Sequence, residues 1–133
     1  MTNDPSIEQF LAAGPFGVAG ASTNRDKYGN KVLRAYLQHA HVAYPVNPRA
    51  DEIEGQRAYP DVTSLPEDVG ALSIITPPAI TESVVDEALD RGIREFWMQP
   101  GAESQPAIER AEAAGANVIH GGPCVLVVLG YRE

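Results

Sequence analysis

The chain has 133 residues, 44% apolar and 21% charged, enough for one globular domain with a real core and unlike a disordered chain. Its formal net charge of −8 argues against nucleic acid as a partner. No apolar run reaches the roughly 18–20 residues that span a bilayer, the N-terminus lacks a signal peptide's basic start and apolar stretch, and Cys124 is the single cysteine, so the expectation is a cytoplasmic protein with no membrane partner and no internal disulfide.

Asp4 and Pro5 read as the N-cap and first position of a helix with an apolar stripe of Ile7, Phe10 and Leu11, ended by Gly14-Pro15. Residues 16–20 form the first strand. Residues 29–38 form a helix with Val32, Leu33, Tyr36 and Leu37 on one face. Residues 42–46 are the second strand, closed by Asn47-Pro48. Residues 57–59, fenced by Gly55 and Pro60, are a short edge strand. Residues 71–76 are a buried strand stopped by Pro77-Pro78. Thr81 caps a helix that runs to Arg91 and turns Val84, Val85, Ala88 and Leu89 inward, with Gly92 as its stop. A strand over 94–98, the turn Gln99-Pro100-Gly101, a helix capped by Ser104 and a strand over 117–120 follow. Gly121-Gly122-Pro123 then breaks the chain before an apolar tail, 124–129. That tail suits either a dimer interface, and so a homo-oligomer, or a covering strand.

Apolar strands that alternate with helices imply an α/β, Rossmann-like, doubly wound parallel sheet within one domain over 1–133. Right-handed crossovers favour about five strands in the order 3-2-1-4-5, with 57–59 as a short third strand. The flavodoxin-like order is the alternative. In either, a ligand sits beyond the carboxyl ends of the strands. The expected rim is Gly20 to Ser22, Asn47 to Arg49, Thr76 to Pro78, Gln99 to Gly101 and Gly121 to Pro123.

The loop after the first strand departs from the dinucleotide fingerprint G-x-G-x-x-G. Gly17, Ala19 and Ser22 hold that spacing, so two glycines are missing. Small Gly20 and Ala21 still let backbone N–H groups approach a phosphate, and the Ser22 hydroxyl can bond a phosphate oxygen or cap the next helix. A NAD-binding domain carries an acid at the end of its second strand for the ribose diol. Here Asn47-Pro48-Arg49 stands there, with no acid before Asp51. Arg49 favours a ribose that bears a phosphate, which leaves NADP or coenzyme A. Residues 25–57 hold six of the ten basic residues against four acids, a local balance of +2 on a chain of −8. That patch suits a small polyanion. Thr76, Pro77 and Pro78 offer a rigid apolar shelf for an adenine or a pantetheine chain.

Taken in order, Gly17-Val-Ala-Gly-Ala-Ser22, Tyr44-Pro-Val-Asn-Pro48, Gly55 with Tyr59-Pro60, Thr76-Pro-Pro78 and Trp97-Met-Gln-Pro-Gly101 resemble the small bacterial and archaeal CoA-binding domain proteins. The resemblance extends to the CoA-binding domain of the succinyl-CoA synthetase α subunit. It implies a Rossmann-type domain that binds coenzyme A or an acyl-CoA without a reaction of its own. It further implies that Gly20, Ala21 and Ser22 line the pyrophosphate, that Asn47, Pro48 and Arg49 border the adenosine and its 3′-phosphate, that Thr76, Pro77 and Pro78 pack on the ligand, and that Gln99 and Gly101 lie near the pantetheine path. Arg25 and Lys27 are further phosphate contacts by charge and loop position.

The C-terminal stretch, from His120 to Cys124, departs from the Asp-Arg-Cys pattern of many such proteins. His39 and His41 read as exposed, and His120 as a rim residue with a structural hydrogen bond. Cys124 reads first as a small buried hydrophobe, and second as a thiol near a CoA thiol. Trp97 reads as core, and the acids at 51–54 as a solvated loop. The synthetase's phosphorylated histidine lies on a second domain that this chain lacks, so no ligase reaction is expected. The alternatives to CoA binding are a NADP-binding, oxidoreductase-like domain and a nucleotide-responsive regulatory protein.

Overall fold

The strands place large apolar side chains on both faces of one sheet, so each face must be covered by helices. The computed structural model describes residues 5–122 and 124–132. Asp4, read above as a cap, and Pro123, read as part of the rim, lie outside them. The elements are α1 (Pro5–Leu11), β1 (Phe16–Ala19), α2 (Tyr28–Gln38), β2 (Ala43–Val46), β3 (Glu52–Ile53), β4 (Gln56–Arg57), β5 (Ala71–Ile74), α3 (Pro78–Asp90), β6 (Glu95–Met98), α4 (Gln105–Ala113), β7 (Asn117–Ile119) and α5 (Val125–Leu129). The main sheet runs β2-β1-β5-β6-β7, with every pair parallel. This is the expected Rossmann-like arrangement with β7 added at the far edge.

Alternate residues serve the two faces. Leu72, Ile74, Phe96 and Met98 pack with Val85, Ala88 and Ile108 on the side of α3 and α4. Phe16, Val18 and Trp97 pack with Phe10, Tyr36 and Val125 on the side of α1, α2 and α5. Trp97 is fully buried, as expected of a core residue. Phe10 meets it edge-on at 5.4 Å.

The third strand is shorter than expected. Tyr59 alone bridges to Val46, donating its N–H to the Pro45 carbonyl and accepting from Asn47 N–H. Pro60 has no N–H to continue the ladder, and Ala58 turns back to donate to the Asp51 carbonyl. Arg57 belongs instead to an antiparallel hairpin, β3 with β4, turned by Glu54 and Gly55 at φ +50° and +77°. Two consecutive positive φ values are the mark of a type I′ turn. The acidic stretch 51–54 is therefore a hairpin rather than a loop.

Three further expectations change. Helix α3 starts at Pro78, a residue pre-set for the first helical position, so Thr81 lies inside the helix and is not its cap. The Thr81 hydroxyl is buried and donates to the Ala102 carbonyl. The apolar tail is the helix α5 against α2, neither a covering strand nor wholly exposed, with Val125 buried and Val127 79% exposed. His41 is half-buried, edge-on to Phe16 and Tyr36.

Tyr36 joins α2 to the sheet. Its ring stacks on Phe16 at 4.6 Å and its hydroxyl bonds Ser73 of β5. Complete burial pushes its phenol far above the ordinary tyrosine value of about 10. The unfolded chain ionises this group near pH 10 while the folded state holds the proton, so stability is present below that pH and falls as pH rises through it. The expected slope from Tyr36 is about 1.4 kcal/mol per pH unit above pH 10. Urea unfolding between pH 7 and 11 measures it. Tyr36→Phe should flatten that fall and cost about 1–3 kcal/mol at pH 7, because Ser73 loses its partner. An unchanged slope in the variant would refute the assignment.

Candidate functional site

The turn that leaves β1 is held by backbone contact before any side chain acts. Gly20 has φ +96°, a conformation that L side chains rarely adopt. A Cβ on it would meet the Ile75 and Thr76 backbone at 3.0–3.2 Å. Gly29, in the first turn of α2, is tighter still: a Cβ there would stand 2.0 Å from the Gly20 carbonyl oxygen. Helix and turn touch because both residues are glycine. Between them the chain makes two small polar turns. Ser22 Oγ accepts from Asn24 N–H at 3.0 Å, and Asn24 Oδ1 accepts from Asp26 N–H at 3.0 Å. Ser22 thus does not cap α2. The N-cap is Lys27, without a side-chain bond.

A buried polar network fixes the loop from beneath. Asn30 is fully buried and donates to the Ser22 carbonyl at 2.8 Å and to the Glu54 carboxylate at 3.0 Å. Its oxygen accepts from Arg34 Nε at 2.6 Å, and Arg34 Nη2 donates to the Arg25 carbonyl at 2.7 Å. Glu54 reaches from the β3–β4 turn and also pairs with Arg25 at 3.1 Å. Across the strand ends, Asn47 Nδ2 donates to the Ala21 carbonyl at 2.9 Å, and its Oδ1 accepts from Arg49 N–H at 2.7 Å. One side chain thereby joins the ends of β1 and β2.

A slot of about 220 Å³ opens at the ends of β1, β2 and β5. That volume is below the 300–1,000 Å³ typical of whole-ligand pockets, so the slot has room for a fragment the size of one base. Its floor is Ala19 and Val46, one wall is Pro48, Pro60 and Val62, and the other is Ile80 and Val84 of α3. Asp61 and Glu87 line it as well. Both carboxylates serve the scaffold: Asp61 accepts from Ser64 N–H and Glu87 from Thr63.

Of the residues expected at the site, Gly20, Ala21, Asn47, Pro48 and Thr76 line the slot. Ser22 continues from its edge. Arg49 follows Pro48, exposed, its guanidinium without a partner among the described residues. Lys27 is exposed on the loop, and Arg25 is turned to Glu54. Pro77 and Pro78 are exposed at the start of α3, outside the slot. Gly101 is in an exposed turn, where its N–H bonds the Glu103 carboxylate. His120 is exposed.

Gln99 is fully buried. Its Oε1 accepts from the Tyr28 hydroxyl at 3.1 Å and from Val125 N–H at 2.9 Å. The Tyr28 hydroxyl also meets Cys124 Sγ. Cys124 is half-buried rather than a core residue. Sequence reasoning missed the slot's second wall. With α3 starting at Pro78, residues 80, 84 and 87 fall at i, i+4 and i+7 on one face, a pattern hidden while Thr81 was taken as the cap.

Fold and slot together define a Rossmann-type domain with a cleft at the carboxyl ends of its parallel strands. The chain belongs to the CoA binding domain family, which it matches over residues 15–130. It is 27% identical over 123 residues to acetate–CoA ligase (ADP-forming) I of Archaeoglobus fulgidus, covering 85% of this chain and 18% of that enzyme. The chain thus spans less than a fifth of that ligase. A conserved hypothetical protein from Pyrococcus furiosus superposes with a TM-score of 0.80 at 39% identity, covering 85% of this chain and 97% of that one. Acetyl-coenzyme A synthetase 1 of Ca. Korarchaeum cryptofilum, solved with phosphate and ADP, superposes with a TM-score of 0.72 at 28% identity, covering 82% of this chain and 26% of that one. The domain is homologous to the CoA-binding domain of such synthetases. Among the described residues, no helix is long and apolar enough to cross a membrane.

Gly29→Ala tests the contact that shapes the loop. The new methyl must push the Gly20 carbonyl aside, so the loss of stability is expected at the upper end of the roughly 1–3 kcal/mol typical of overpacking. Urea denaturation measures it, and a loss below about 0.5 kcal/mol would contradict so close an approach.

Proposed function

We propose that this chain binds coenzyme A or an acyl-CoA as a carrier or sensor, without bond chemistry of its own. The observation that carries the reading is the largely apolar slot at the strand ends, whose lining residue Pro48 is followed by the exposed Arg49. The adenine fits between the Pro48–Pro60 wall and Ile80–Val84. The ribose 3′-phosphate then falls by the guanidinium of Arg49, which has no partner among the described residues. The diphosphate crosses Gly20, Ala21 and Ser22, where small residues expose backbone N–H groups and Ser22 keeps its hydroxyl hydrogen to donate. Pantetheine continues over Thr76 toward the Gln99–Gly101 turn. Membership of the CoA binding domain family supports the choice of CoA over NADP. The slot's surface is mostly apolar, with Asn47, Thr76 and Ser83 as its uncharged polar side chains, and its two carboxylates are already held by Ser64 and Thr63, which suits retention of a ligand rather than proton transfer.

Titration calorimetry with CoA, dephospho-CoA, NADP and NAD tests this directly. CoA should bind with Kd well below about 1 mM, and more tightly than NADP. Loss of the 3′-phosphate should cost about 1.5–3 kcal/mol, the scale of a charge-assisted hydrogen bond. Arg49→Ala should shrink the gap between CoA and dephospho-CoA. Tighter binding of NADP than of CoA, or no CoA binding near 1 mM, overturns the reading.

A second variant probes the slot itself. Ile80 is 51% exposed, so Ile80→Glu places a charge at the mouth with little effect on folding. CoA affinity should fall at least about tenfold, which is about 1.4 kcal/mol, at an unchanged melting temperature. Unchanged affinity would place the base elsewhere.

A further inference from the structure

A second cavity, of about 550 Å³, lies against α2 and the carboxyl end of α5 and shares no lining residue with the slot. Arg25, Arg34, Gln38, His39, Gly130 and Arg132 line it, three arginines and a histidine with no acidic residue. The chain brings them together from three directions. Arg25 stands on the loop before α2. Arg34 and Gln38 are four residues apart on one face of α2, and His39 follows at its end. Gly130, at φ +71°, ends α5 and turns the chain toward α2. There Arg132 N–H donates to Gln38 Oε1 at 3.0 Å, and Gln38 Nε2 donates to the Arg132 carbonyl. Both bonds use the Arg132 backbone, and its exposed side chain has no partner among the described residues.

Arg34 distinguishes this cavity from a mere dip in the surface. It is 8% exposed, so its charge is taken almost wholly out of water. Nε and Nη2 donate to neutral oxygens, Asn30 Oδ1 at 2.6 Å and the Arg25 carbonyl at 2.7 Å. Among the described residues no carboxylate pairs with it. Nη1 has no acceptor among them, yet it is not sealed from solvent, and the cavity is where solvent reaches this side chain. The Tyr131 ring, 5.5 Å from Cζ, supports the guanidinium. A buried cation with only neutral partners is costly, and an anion in the cavity offsets that cost. Glu54 cancels one of the three arginine charges by pairing with Arg25 at 3.1 Å, and the carboxyl end of α2 adds only about half a negative charge, so a positive excess remains among the described residues. Guanidinium forks match phosphate oxygens, and forks that arrive from three directions suit a tetrahedral group better than a planar carboxylate.

We propose that this cavity binds a phosphate dianion, free or as the head of a small monoester, with Arg34 at its base and Arg25 and Arg132 at its rim. Its volume lies within the roughly 300–1,000 Å³ of whole-ligand pockets, which leaves room for the body of such an ester. The site does not rest on the CoA reading, and either can fail alone.

Inorganic phosphate and glycerol 3-phosphate are titrated in turn into the full chain at neutral pH, with ionic strength held constant by sodium chloride, and amide NMR spectra are followed. Saturable shifts are expected at Arg34, His39, Gly130 and Arg132, with Kd below about 1 mM for at least one of the two. Tighter binding of the ester assigns the cavity to an organic phosphate, and tighter binding of the inorganic ion assigns it to free phosphate. Arg132→Ser should weaken the tighter ligand at least about tenfold, with the melting temperature of the ligand-free chain unchanged. Arg34→Lys keeps the charge, loses the fork and should weaken binding similarly. Shifts confined to residues 20–22 and 47–49 would place the anion in the strand-end cleft instead. That result, shifts that do not saturate, or wild-type affinity in Arg132→Ser overturns the proposal.

Discussion

The approach of Gly29 to the Gly20 carbonyl is the constraint on which the cleft depends. It seats the first turn of α2 on the end of β1, closer than any side chain allows. Once seated, Asn30 is carried under the loop, where it bonds the Ser22 carbonyl, Glu54 and Arg34. Tyr28, one residue before Gly29, is carried to Gln99 and Cys124. Three successive residues thus shape the loop, anchor it from beneath and tie the start of α2 to Gln99 at the end of β6. Gly20 completes the arrangement from the other side, because its positive φ turns the chain against the Ile75–Thr76 backbone at the end of β5.

Much of the fold was legible because its signals are local. Apolar strands between amphipathic helices required a parallel sheet covered on both faces, and the strand order followed from the handedness of crossovers. Elsewhere a local signal had two meanings. Pro77-Pro78 marked the end of a strand, but Pro78 is also a favoured first residue of a helix, and the helix begins there. The acids at 51–54 looked solvated until Glu54-Gly55 is read as a two-residue hairpin turn. The apolar run 125–129 is too short for period alone to separate helix from strand.

The candidate site was legible to a different degree on its two sides. Gly20, Ala21, Asn47, Pro48 and Thr76 follow strands directly, and strand ends converge in this topology, so sequence order alone placed them together. Val62, Ile80, Val84 and Glu87 come from a loop and a helix face, and their meeting depends on how α3 packs against residues 60–66. Arg91 decides part of that packing by donating to the Val62, Leu65 and Pro66 carbonyls, a long-range contact with no sequence signature.

Charge is where the two levels differ most. The count over residues 25–57 describes a basic patch, but its cations have separate employments. Arg34 is 8% exposed and bonded inside the loop, Arg25 faces Glu54, and Arg57 stands over the Tyr59 ring at 5.1 Å. Arg49 and Lys27 are the exposed cations of this stretch with neither a carboxylate nor a ring partner among the described residues. A ligand with three phosphates therefore cannot be held here mainly by ion pairs. On the proposed reading, Arg49 meets the phosphate at the ribose, and the diphosphate rests on backbone N–H groups at the Gly20–Ser22 turn. The missing glycines of the dinucleotide fingerprint do not disable such a turn. Its close approach comes from Gly20 and Gly29, nine residues apart, which a local pattern of spaced glycines does not encode.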